Sequence, residues 1–153
     1  RLVVRVRIKQ SNQLLAETAR NAGVRTNEEF AIFQNAGYMG LYVGLDVEDI
    51  HQRKGLAVGQ KILDYMGSTE LIANLFRVSQ TEEKLRKDKV DSAEIATKVH
   101  NTVGREVRKA IEEIGGTMPE DLPTPEKSIA QIEKEQMQRL KKKAKEGTLM
   151  LDE

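Results

Sequence analysis

The stretch DVEDIHQRK, residues 46–54, gathers the side chains most able to do acid–base or metal chemistry: Asp46, Glu48, Asp49 and His51, followed by Arg53 and Lys54. Carboxylates beside an imidazole are the parts of a hydrolase or a metal-dependent nuclease. The same spacing has a plainer cause. Asp46 stands where a helix cap belongs, and acidic first turns and basic last turns both complement the helix dipole. The other histidine, His100, is far along the chain. Neither histidine has a second His or Cys at ligand spacing, so both read as structural or solvent-facing. GLAVGQK, 55–61, has the glycines and lysine of a phosphate loop, but one residue too few between the glycines, and Ile62 where a Ser or Thr is needed. Gly37, Gly40 and Gly44 miss the dinucleotide fingerprint, and there is no nucleophile elbow or Ser-His-Asp signature. The expectation is a protein that is not an enzyme and carries no cofactor.

The basic residues suggest contact rather than catalysis. Lys98, Arg105 and Lys109 recur along one helical face, with Asn101 between them and Arg108 beside them. His51, Gln52, Arg53 and Lys54 form a second basic end. Arg77, Lys84 and Lys87 read as the outer side of another helix. Such side chains contact phosphates, although a solvated face is the competing explanation. The net charge of +1 does not itself announce a nucleic-acid binder.

These residues must be positioned by helices. Aromatics are 4% of the chain and Trp is absent, so the core is built from aliphatic side chains, which suits an all-α fold. The absence of cysteine excludes a disulfide framework and thiolate metal sites. With no signal peptide and no membrane-spanning apolar run, a reducing cytoplasm is the expected compartment.

The pattern predicts a first helix from about Leu2 to Ala22, stopped by Gly23. Thr26 and Glu29 form a capping box for a helix expected to end at Gly37. Asp46 starts a short helix to about Lys54, and another is expected from Gly59 to Met66. Ser68 is expected to cap a helix through Lys87, with Leu71, Leu75, Val78 and Leu85 inward. Ser92 caps the next, reaching Ile114, with Ile95, Val99, Val103, Val107, Ala110 and Ile114 inward. A Gly- and Pro-rich linker follows, and Thr124-Pro125 is expected to restart a helix. Its Ile129, Ile132 and Leu140 approach a coiled-coil seam that would support a homo-oligomer. The expected organisation is a compact bundle over 1–125, with an extended C-terminal helix and basic tail over 126–153.

The blocks FAIFQNAGYMGLYVGLD (30–46), IHQRKGL (50–56), KILDYMGSTELIANLFRVSQTEEKLR (61–86) and VGREVRKAIEEIGGTMPEDLPTP (103–125) occur in order. Together they resemble the damage-inducible protein D family of bacteria and phages. Arg1–Lys9 and the tail from about Glu133 are weakly characteristic of it. The resemblance implies expression under DNA damage, within the SOS response, and an N-terminal BRO-like, DNA-associated domain preceding Arg1. It also implies links to DNA and to the RecA-type recombinase filament, and it supplies no established catalytic residues to carry over. The resulting expectation is a non-enzymatic module that binds or modulates a recombinase filament or single-stranded DNA. The alternative is an oligomerisation scaffold for a BRO-type DNA-binding regulator or antirepressor. A nuclease at Asp46–His51 is the third reading.

Overall fold

The computed structural model describes residues 1–147. Among these there are six α-helices and no strand: α1 (Leu2–Asn21), α2 (Asn27–Leu41), α3 (Val47–Arg53), α4 (Ser68–Lys87), α5 (Ala93–Ile114) and α6 (Ile129–Lys145). Short 3-10 turns lie at Ile62–Tyr65 and Pro119–Asp121. None of these helices is long and apolar enough to cross a membrane. The architecture is all-α, with α2 laid on α5 and α1 on α4 as the main interfaces and α4 against α5 joining them.

Several local signals act as expected. Thr26 accepts from Glu29 N–H while the Glu29 carboxylate accepts from Thr26 N–H, closing the capping box of α2. Asp46 and Asp49 do the same for α3, and Ser92 Oγ caps α5. Gly23, at φ +106°, ends α1; Val24 N–H donates to Ala19 O, the bond of a left-handed helix stop.

Other expectations are corrected. Helix α2 does not stop at Gly37 but runs on to Leu41, because Gly37 and Gly40 serve a helix crossing. A Cβ on Gly37 would overlap the His100 ring, and one on Gly104 would lie 2.7 Å from Gly37 O. Only bare backbones permit α2 and α5 to approach this closely. The segment expected as a Gly59–Met66 helix forms a single 3-10 turn. Gly59 takes φ +87°, and the His51 imidazole occupies the carbonyls of Ala57 and Gln60. Ser68 is the first helical residue of α4 rather than its cap; Gly67 is the N-cap. Helix α6 starts at Ile129, not at Thr124-Pro125, behind a capping box of Ser128 and Gln131. Pro123 and Pro125 keep the residues before them extended.

The apolar interior falls into two clusters. One holds Ile8, Tyr38, Leu41, Tyr42, Ile50, Met66, Leu71, Val103 and Val107. The other holds Leu15, Ala19, Val24, Phe33, Val78, Leu85 and Ala96. On α2, α4 and α5 alike, the residues feeding one cluster are separated from those feeding the other by a short interval. Arg77 and His100 occupy that interval on α4 and α5. The inner face of α5 differs from expectation: Ile95 and Ile114 are 50% and 83% exposed, while Ala96, His100 and Gly104 turn inward.

Candidate nucleic-acid and partner interface

The basic residues singled out by spacing divide into two groups. The first group is engaged in contacts within the molecule, buried at Lys54 and still 51% exposed at Arg53. Lys54 Nζ lies 2.7 Å from Glu70 Oε1, with side chains 6% and 1% exposed. Removing one member of such a pair strands a buried charge, at a cost of about 3–5 kcal/mol. Arg108 grips the linker after α5: its two terminal nitrogens meet the two Glu120 carboxylate oxygens at 2.7 and 2.8 Å, and Nη1 also donates to Leu41 O. Burial is the largest single influence on Glu120 and opposes its ionisation, but the Arg108 hydrogen bonds, a backbone hydrogen bond and the Arg108 and Arg53 charges together outweigh it and hold the carboxyl below its ordinary pKa. Arg53 donates to Glu120 O and Asp121 Oδ1. His51 Nε2 faces two carbonyls, Ala57 O at 3.1 Å and Gln60 O at 3.0 Å, so it carries the proton and donates. The HQRK segment therefore fastens α3 to its surroundings more than it projects from them.

The second group faces outward. Gln52, Lys98, Arg105 and Lys109 are exposed. Lys98 is 3.7 Å from Glu94 across one turn, an exposed pair worth little. Asn101, expected among them, instead turns inward and donates to Ala36 O. On α6, Ile129 is buried against the body, Ile132 is half-buried, and Met137 and Leu140 are 54% and 48% exposed.

The acidic residues near His51 have a local structural task. Asp46 and Asp49 are committed to the cap of α3, and no group of three potential metal ligands occurs among the described residues.

Sequence reasoning missed a buried polar chain. Tyr42 Oη donates to Glu70 Oε2 at 2.5 Å and accepts from Asn74 Nδ2 at 3.0 Å. Asn74 Oδ1 accepts from Arg77 Nη2 at 3.0 Å, and Arg77 Nη1 meets His100 Nε2 at 2.6 Å. His100 Nδ1 lies 2.8 Å from Phe33 O; only a donor suits a carbonyl, so Nδ1 holds the proton and Nε2 accepts from Arg77. Arg77, expected on the outer side of α4, is 2% exposed. Burial pushes Glu70 upward despite Lys54 and Tyr42, and burial with the Glu70 charge pushes the Tyr42 phenol well above its ordinary value. One signal did exist. Glu70, Asn74, Arg77 and Thr81 repeat at the same helical spacing as the apolar stripe beside them.

Comparison with known proteins follows this geometry. The family model described as DinD C-terminal domain matches residues 1–132. It thus takes in the Arg1–Lys9 segment, which carries few characteristic residues by inspection. The chain is 61% identical over 133 residues to the DNA damage-inducible protein D of Escherichia coli (strain K12), covering 87% of this chain and 48% of that protein. The chain thus spans about half the length of the curated relative it matches. No solved structure matches it.

Proposed function

This chain belongs to the DinD C-terminal domain family, and from that premise we propose that it serves a DNA-damage response as a non-enzymatic binding module. Its partner is single-stranded DNA or the recombinase filament formed on it. The observation supporting this reading is the outward line of Lys98, Arg105 and Lys109 on α5, none of which is held in a buried ion pair among the described residues. Exposed cations along one helical face can neutralise backbone phosphates.

The test is a salt titration of binding to a single-stranded oligonucleotide, with and without recombinase. The expected result is salt-sensitive binding that weakens when Lys98, Arg105 and Lys109 are changed together to Ala. The slope of log K against log salt should fall by about two, at roughly 0.7 for each phosphate no longer neutralised. No binding at low salt in either arm rejects the proposal. The second reading, an oligomerisation scaffold, is favoured by the exposed Met137 and Leu140 on α6. Light scattering that finds a strict monomer at high concentration rejects that reading.

A further inference from the structure

Three other cations drawn toward the interior meet a carboxylate, Arg5 with Asp64, Lys54 with Glu70 and Arg108 with Glu120, while the half-buried Arg1 reaches the carbonyls of Met66 and Asp64. Arg77 is buried more completely than any of these and has no carboxylate partner among the described residues. Its immediate contacts are neutral: the acceptor nitrogen of His100, the Asn74 carbonyl and the Tyr38 ring, whose centroid lies 4.5 Å from the guanidinium carbon. Its Nε–H has no hydrogen-bond partner among the described residues. A buried charge without a counter-charge, and a buried donor without an acceptor, are both costly, and native interiors rarely keep either unless something else completes the site.

A cleft of about 520 Å³ opens over this group, with Arg77 and His100 among its lining. Phe30, Phe33 and Tyr38 give it aromatic walls, Lys61 adds a further cation, and no Asp or Glu among the described residues lines it. The volume falls in the range of small-ligand pockets, which typically combine apolar walls with a few convergent polar groups. We propose that this cleft binds an organic oxyanion, a carboxylate or phosphate monoester carried on an apolar body about the size of an aromatic ring. The oxyanion accepts from Arg77 Nε, which a slight turn of the guanidinium uncovers at the cleft floor, and the ring lies against Phe30 and Tyr38. This site is separate from the exposed lysines and arginine of α5 and stands or falls without them.

The probes are phenylacetate and phenyl phosphate, with neutral phenylacetamide as the control. The readout is the Arg77 Nε–H resonance of the ¹⁵N-labelled chain. Either anion should shift that resonance and raise the melting temperature, and the amide should bind at least about tenfold more weakly. A response to phenylacetate alone identifies a carboxylate ligand, and one to phenyl phosphate alone a phosphate monoester. Arg77→Gln should abolish the response. Because that change touches the core, Gln34→Glu gives an independent test. Gln34 is exposed and lines the cleft, so a carboxylate there should weaken anion binding about tenfold or more while the fold stays intact. Anion and amide binding alike, or no shift of Nε–H at about 10 mM of either anion, overturns the proposal.

Discussion

His100 sits between Phe33 O and the Arg77 guanidinium, so a second ring proton would face a cation 2.6 Å away. Burial first, and then the Arg77 charge, hold its pKa well below the ordinary histidine value. The folded state therefore keeps the ring neutral where an unfolded chain, titrating near 6.5, takes up a proton. More protons bound in the unfolded state means that stability is complete above about pH 6.5 and falls as pH drops below it, with a slope approaching about 1.4 kcal/mol per unit. Glu70, raised by burial, acts in the opposite sense nearer its own range, so a comparison isolates the histidine. Urea midpoints measured from pH 8 to 5.5 should fall below pH 6.5 for the native chain and stay flatter for His100→Gln. Parallel curves would remove His100 from the account. At this scale the sequence was least legible. Arg77 shares a helical line with Glu70, Asn74 and Thr81 beside the apolar stripe, but polar letters on such a line read equally as a solvated face, and the packed neighbours decide between the two.

At the scale of the element, α2 shows how one residue type serves two purposes. Glycine at 37 has the character of a stop, yet it is spent on the contact with α5, so the helix must end later. It ends where Gly44 N–H donates to Met39 O, which places Val43 in the left-handed region at φ +49°. A β-branched residue there is strained by about 1–3 kcal/mol. Val43 is 60% exposed, so little packing would be lost on replacing it. Glycine adds about 0.5–1 kcal/mol of unfolded-state entropy, which offsets part of the relief. Val43→Gly should therefore stabilise the chain by roughly 0.5–1 kcal/mol, read as a higher denaturant midpoint with an unchanged m-value. A lower midpoint would mean that the turn is unstrained. The caps of α2, α3 and α5 were legible because each rests on two or three neighbouring residues. The start of α6 was not, because Thr124-Pro125 offers the right cap chemistry while the linker is held elsewhere by Arg53 and Arg108.

For the whole molecule, the scarcity of aromatics and the succession of caps made an all-helical bundle readable. The helix pairing was not, since it depends on which glycines face each other. The C-terminal helix illustrates how unevenly the chain contributes. Ile129 is buried and Ile132 half-buried, whereas beyond Glu133 nearly every residue of α6 is exposed. A chain ending at Lys134 should melt within about 2–4 °C of the full one, the shift that about 1 kcal/mol produces at this size. Ending at Lys127, which removes Ile129, should lower the melting temperature further. Equal losses from both truncations, followed by circular dichroism, would show that the exposed part of α6 contributes as much as its root.

The polar chain from Lys54 through Glu70, Tyr42, Asn74 and Arg77 to His100 also constrains how this protein can change over generations. Each contact along it joins one donor to one acceptor, so a replacement at one position leaves the next without that partner. Neutral drift through single substitutions is largely closed along this line, while paired replacements remain open. Among descendants of this sequence, these six positions should vary in concert, as a block inherited or exchanged together.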